Sequence, residues 1–211
     1  MSRILKIGLA SLAVMMLMAG CEKKVPAGQT SVAEKSSEVM GQTPEKAPAF
    51  TLIDHNGKTH HLSDYTGKVV VLEWLNPECP FTIRHYEAKT MLTLANSYAD
   101  RGVVWLGISS TGHLDSVRNK AFAEHYNLPY AVLDDHTGQV GRLYDAKTTP
   151  HLFVIDTAGV LAYRGAIDDD PTGAKAEKVN YVEAALDELL AGKDVTIKET
   201  QSYGCSVKYA Q

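Results

Sequence analysis

From residue 69 the chain reads Val69-Val70-Val71-Leu72-Glu73-Trp74-Leu75, apolar and β-branched almost without a break. A run of this kind, without polar alternation, predicts a strand buried on both faces. About twenty residues of helical spacing follow. Ala88, Met91, Leu92, Ala95, Tyr98 and Ala99 fall three and four apart and predict one helix over 80–99, stopped at Arg101-Gly102. A second buried strand covers 103–109. Leu114, Val117, Ala121 and Phe122 carry a further amphipathic helix that ends before Pro129. A short strand at 130–133 and a helical turn at 140–144 come next. Strands at 151–156 and 160–166 flank the turn Thr157-Ala158-Gly159. Val182, Ala185, Leu186, Leu189 and Leu190 mark a last helix, with Gly192 suited to its C-terminal cap. Upstream, strands at 50–54 and 58–62 surround Asn56-Gly57, the strongest short hairpin signal, because both central residues of that turn need positive φ.

Strands alternating with helices imply an α/β domain over 47–192, with a central, largely parallel sheet flanked by helices on both faces. The N-terminal hairpin and the closing hairpin make the sheet mixed. Residues 193–211 form a polar tail.

The other residues behave differently. Arg3 and Lys6 precede an apolar run over 7–18, too short to span a bilayer comfortably, and Met18-Ala19-Gly20-Cys21 closes it. This resembles a bacterial lipoprotein export signal, with Met18 where Leu is usual. It implies cleavage before Cys21 and lipid on that cysteine; an ordinary signal peptide cut nearby is the alternative. Residues 21–46 are rich in Ser, Thr, Glu, Lys and Gln, cannot bury a core, and read as a flexible tether. The expected location is the periplasmic side of a bacterial envelope, with Glu22 after the cysteine leaning toward the outer membrane. The chain carries a net charge of −4 and no basic block, which argues against a nucleic-acid surface. If Cys21 is lipidated, Cys79 and Cys205 remain. An even pair in an oxidising compartment reads as a disulfide candidate.

The chemistry centres on Asn76-Pro77-Glu78-Cys79-Pro80-Phe81, where a buried strand turns into a helix. Pro80 suits the first helical position, since its missing N–H costs nothing there. Cys79 then falls at or beside the N-cap, where free amides and the helix dipole favour a thiolate. The competing reading is an inert, buried cysteine.

Ala47-Pro48-Ala49-Phe50-Thr51-Leu52, then Asn56-Gly57-Lys58 and Leu62 to Leu72 resemble the opening of peroxiredoxin and thiol–disulfide oxidoreductase domains. Thr148-Thr149-Pro150-His151-Leu152-Phe153-Val154-Ile155-Asp156 resembles the segment where thioredoxin-like folds hold a cis-proline. Gly159 to Gly165 continues as the following hairpin. Tyr203-Gly204-Cys205-Ser206-Val207-Lys208-Tyr209 is similar to the tail of a peroxiredoxin-like (redoxin) subgroup. The resemblance implies a thioredoxin-like fold, Cys79 as reactive thiolate, and Pro150 as a cis-proline facing it. A strand-entry proline is the plainer reading of Thr149-Pro150. Two departures stand out. Neither Asn76 nor Thr82 supplies the second cysteine of a CxxC. Asn76 also stands where peroxiredoxins place a hydroxyl residue, and Leu72 where they place a proline, which argues against fast peroxide reduction.

Cys205 is then the natural resolving thiol, with a permanent structural bridge or no pairing as alternatives. His151 is a candidate to tune the thiol, against the reading of a satisfied strand-end histidine. Arg84 and His85 read as a solvated helix face. Glu78 opposes a thiolate by its charge. His55, His60 and His61 invite a metal, but strand alternation puts His60 and His61 on opposite faces. No metal or organic cofactor is called for. The reading is an exported thiol-dependent oxidoreductase acting on a protein disulfide or a peroxide, recharged by a thioredoxin-type partner. Its alternatives are a peroxide reductase, or a non-catalytic lipoprotein binding module with a structural Cys79–Cys205 bridge.

Overall fold

The structure is a computed structural model that describes residues 45–211. The leader, Cys21 and nearly all of the tether fall outside the described residues. Strands β1 (Thr51–Asp54) and β2 (Thr59–His61) form the N-terminal hairpin, with Gly57 at φ 85°. The Asp54 carboxylate holds this turn by accepting the Asn56 and Lys58 amides at 2.8 and 2.9 Å. His60 is buried and bonds Asp54 and Tyr65, while His61 is exposed and contacts the Thr51 hydroxyl, so the two rings lie on opposite faces. A single 3-10 turn, Leu62–Tyr65, leads into β3 (Val69–Trp74).

The expected helix over 80–99 is two helices, α1 (Pro80–Glu87) and α2 (Thr90–Ala99). Lys89, at φ 58°, breaks the ladder between them. The break re-aims the second segment, so its inward stripe is Met91, Leu94, Ala95 and Tyr98, whereas Ala88 and Ala99 are exposed. Next come β4 (Val103–Ser109), α3 (Ser116–His125), β5 (Ala131–Asp134) and α4 (Gln139–Leu143). Val117, expected in the apolar stripe of α3, is 69% exposed; the inward residues are Asn119, Phe122 and Ala123. The chain ends with β6 (Thr148–Thr149), β7 (His151–Ile155), β8 (Leu161–Gly165), α5 (Tyr181–Leu190) and β9 (Cys205–Ser206).

Seven strands form one mixed sheet in the order β2-β1-β5-β4-β3-β7-β8, with β3, β4 and β5 parallel and the rest antiparallel. The period-2 rule divides β3 cleanly. Val69 and Val71 pack with Met91, Tyr98, Phe122 and Leu186 beneath α1, α2, α3 and α5. Val70, Leu72 and Trp74 pack with Phe50, Val140 and Tyr144 on the other face. The carboxyl ends of the parallel strands thus open beside the start of α1, the usual place for chemistry in such sheets.

Candidate active site

β3 hands over to α1 through a turn built by Asn76. Its carbonyl accepts the Cys79 amide at 3.0 Å and its side-chain oxygen accepts the Glu78 amide at 2.8 Å. Asn76 therefore shapes the loop, and its side-chain carbonyl is already engaged. Cys79 is the N-cap residue, extended at φ −83° and ψ 122°, and Pro80 begins the helix. The Cys79 side chain is only 1% exposed.

The opposite wall is β6. The Thr149–Pro150 peptide bond is cis. The Cys79 thiol donates to the Thr149 carbonyl at 2.9 Å. On the far side of Thr149 lies the tail: β9 runs antiparallel to β6 with Cys205 directly opposite Thr149. Gly204 permits this approach. It sits at φ 127°, and a Cβ there would stand 2.2 Å from the Thr149 carbonyl oxygen. The tail segment that carries Cys205 is docked, because its amides and carbonyls complete the short ladder that the cis-proline segment leaves open. Both cysteines are free thiols, and each lies near enough to the other to shift its pKa. Burial pushes the Cys79 thiol up, but hydrogen bonds from the Thr149 side chain, the Thr82 amide and Cys205 outweigh it and hold Cys79 below the ordinary cysteine value. Cys205 moves the other way, raised by burial and by the neighbouring Cys79.

Tyr203 anchors the tail. Its hydroxyl donates to the Asp168 carboxylate and meets His85 Nε2 at 3.0 Å. Its ring stands beside those of Phe81 and His85, and the Arg84 guanidinium lies 5.8 Å from the ring centre. Here the solvated-face reading of Arg84 and His85 is wrong. His85 is 2% exposed, and burial drives its pKa down to about 4, so it is neutral near pH 7. Arg84 donates to the carbonyls of Pro171 and Asp170. No local signal marks these partners, which lie more than eighty residues away along the chain. Beyond Cys205, the Gly112 amide bonds the Lys208 carbonyl and Tyr209 bonds the Ala146 carbonyl.

His151 does not reach the thiol. It pairs across the sheet with Trp74, on the face away from α1, and its Nδ1 accepts the Lys147 amide at 3.2 Å. Burial lowers its pKa to about 4. It lines a cavity of about 550 Å³ with Tyr144, Lys147, Arg164 and Glu199. Glu78 is turned outward, where it contacts His113 Nε2 at 3.0 Å and pairs with the Arg118 guanidinium at 3.2 Å. Thr82 is fully buried, and its hydroxyl has no hydrogen-bond partner among the described residues.

Sequence reasoning missed Glu73. It is fully buried in β3, accepting from Tyr86 and Trp105 at 2.9 and 3.0 Å and from Tyr130 at 3.3 Å. Burial raises its pKa to about 7 against these hydrogen bonds. One acid inside an apolar run was the available signal.

A buried thiol at a helix N-cap, faced by a cis-proline segment that leads into an inner strand of a mixed sheet, defines a thioredoxin-fold thiol oxidoreductase. Residues 43–164 match the AhpC/TSA family, and the chain belongs to it. It is 34% identical over 126 residues to thiol-disulfide oxidoreductase ResA of Geobacillus kaustophilus, covering 60% of this chain and 68% of that protein. It is 32% identical over 124 residues to chloroplastic peroxiredoxin Q of Triticum aestivum, covering 55% of each. The crystal structure of an uncharacterized conserved protein from Geobacillus kaustophilus superposes with a TM-score of 0.73 at 30% identity, over 82% of this chain and 94% of that one. The family's relatives are named for disulfide and for peroxide chemistry, so the protein is an oxidoreductase acting on one of these bonds.

Proposed function

We propose that Cys79 and Cys205 form a redox-active dithiol–disulfide pair that exchanges with protein disulfides. The observation that carries this reading is the shared wall at Thr149, whose carbonyl receives the Cys79 thiol while its backbone pairs with Cys205. Cys79 has the lowered pKa and serves as the thiolate; Cys205 is its resolving partner. Pro150 and Thr149 hold the two sulfurs on one wall, and Pro80 and Asn76 fix the N-cap. Oxidation joins the two sulfurs and releases two protons and two electrons to a client disulfide, which leaves as two thiols. A thioredoxin-type dithiol then recharges the pair. Export and a lipid anchor on Cys21, at the periplasmic side of a bacterial envelope, complete the proposal; they rest on the leader residues.

Peroxide is the second substrate class. Thr82, three residues after Cys79 and buried without a hydrogen-bond partner among the described residues, is a hydroxyl on the helix turn that begins at the thiol. It favours this reading to the extent that it replaces the donor missing at Asn76. The test is mass mapping of cysteines after a protein disulfide, after peroxide and after a thiol reductant, in wild type and Cys205→Ser. A Cys79–Cys205 linkage that forms with disulfide and opens with reductant is the expected result. A bridge that resists reduction would instead mark a structural disulfide, and the absence of any linkage would refute the pair.

A further inference from the structure

We propose that the cavity of about 550 Å³ lined by His151 binds a peptide segment of the protein client, whose backbone carbonyl accepts the His151 Nε2–H. The inference rests on the exchange with protein disulfides proposed above and names where such a client is held.

The cavity presents one donor without an acceptor. His151 is 6% exposed. Its Nδ1 accepts the Lys147 amide at 3.2 Å, so the neutral ring carries its proton on Nε2. Burial lowers its pKa to about 4, which keeps the ring neutral near pH 7 and keeps that N–H a donor. No group among the described residues accepts it, yet Nε2 is not sealed into the interior as the Thr82 and Asn119 side chains are. The N–H therefore opens into the cavity that the ring lines. A buried donor left unpaired is costly, so an acceptor brought by a ligand is favoured there.

The charges around the ring select the kind of acceptor. Lys147, Asp145, Arg164 and Glu199 all line the cavity and all act on the His151 ring. They are already matched: Lys147 meets Asp145 at 3.1 Å, and Arg164 meets Glu199 at 3.1 Å. The lining thus carries no net charge. A simple anion would find both cations neutralised, whereas a peptide carbonyl asks for a donor and no counter-charge. The volume lies within the range of about 300–1,000 Å³ usual for ligand sites. Because the contact is to backbone, it tolerates clients of different sequence.

The position fits a client whose disulfide must reach the thiols. The backbone edge of β6 is already taken, since β9 pairs with it at Thr148 and Thr149. A client strand cannot add there. The cavity adjoins that closed edge, with Thr148 and Ser202 in its lining. Thr148 precedes the residue whose carbonyl receives the Cys79 thiol, and Ser202 lies shortly before Cys205. Roughly three extended residues would carry a seated segment from Thr148 to the sulfurs.

The test titrates the reduced, ¹⁵N-labelled full chain with a cysteine-free, end-blocked pentapeptide of alanine and serine. Separate samples receive sodium acetate and inorganic phosphate. Saturable movement of the His151 Nε2 signal with the peptide, and with neither anion, is the expected result. His151→Phe removes the donor, and Gln201→Trp plugs the cavity from an exposed tail position. Each should weaken peptide binding about fivefold or more. Gln201→Trp leaves the core untouched, so it decides the matter if His151→Phe does not fold. Saturation by acetate or phosphate at the concentrations the peptide needs would mark an anion site and overturn the inference. A peptide that does not saturate overturns it too, and leaves the redox pair standing if Cys79 and Cys205 still link. Saturation in a protein whose Cys79 and Cys205 never link would uphold the peptide site and refute the redox pair instead.

Discussion

The thiol of Cys79 donates to the carbonyl of Thr149 at 2.9 Å, and the same Thr149 pairs backbone to backbone with Cys205. One residue thus fixes both sulfurs. Gly204 makes the arrangement possible, and its substitution is the most direct test. Gly204→Ala places a methyl against the Thr149 carbonyl in a backbone region that disfavours side chains. The expected outcome is at least about tenfold slower closure of the Cys79–Cys205 disulfide with far-ultraviolet circular dichroism unchanged. Closure is read by alkylation and mass shift, and a wild-type rate would show that the ladder does not position Cys205.

Tyr203 supplies a graded series. Tyr203→Phe keeps the ring against Phe81 and Arg84 but leaves Asp168 and His85 without the hydroxyl. Tyr203→Ala removes both. Amide exchange across 203–210 should rise slightly in the first variant and strongly in the second. Leaving a buried polar group unpaired typically costs about 1–3 kcal/mol. Equal protection in all three proteins would show that the anchor lies elsewhere.

Glu73 gives a pH signature. Its folded pKa of about 7 lies above the ordinary 4.5, so the folded state binds this proton more tightly than the unfolded chain. Its contribution to stability is complete below about pH 4.5 and is lost as pH rises through 7. Glu73→Gln should therefore gain on wild type with rising pH. The relative gain approaches roughly 3 kcal/mol above pH 7, since each pKa unit is worth about 1.4 kcal/mol. Denaturant titrations from pH 5 to 8 measure it, and parallel curves for the two proteins would show that Glu73 titrates normally.

His85 and His151 act in the opposite direction. Burial lowers both to about 4, so each stabilises the neutral form above the ordinary 6.5, and that contribution is lost as pH falls toward 4. His151→Phe should flatten the acid limb of stability without changing the alkylation rate of Cys79, because His151 lies on the other face of the sheet. A changed Cys79 rate would place His151 in the active site after all.

Thr82→Val separates two roles of the buried hydroxyl. Removing an unpartnered buried hydroxyl should leave stability level or slightly higher. If that hydroxyl supports the thiolate, the pH midpoint of Cys79 alkylation rises while Thr82→Ser retains it. An unmoved midpoint in Thr82→Val would confine Thr82 to its backbone amide.

Much of the scaffold was legible along the chain. The apolar run at 69–75, the alternating strands and helices and the Asn56-Gly57 turn led to an α/β sheet because each depends on local periodicity and turn chemistry. Pro80 placed Cys79 at a helix start for the same reason. The break at Lys89 was not legible, since a left-handed lysine has no sequence signal. The inward face of α3 was misread because Val117 is apolar yet exposed, while Asn119 is polar and buried.

By itself the sequence determined the strand–helix order, a lone cysteine at a helix N-cap, the lack of a CxxC, and a second thiol near the end of the chain. These follow from neighbours within a few residues, where backbone preference and hydrophobic period act. Only the tertiary structure decided that Cys205 lies beside Cys79, that Tyr203 meets His85 and Asp168, that His151 faces away, and that Glu73 sits among Tyr86, Trp105 and Tyr130. Those relationships join residues far apart in the chain. Packing of the whole sheet, rather than any local preference, brings such groups within hydrogen-bond range.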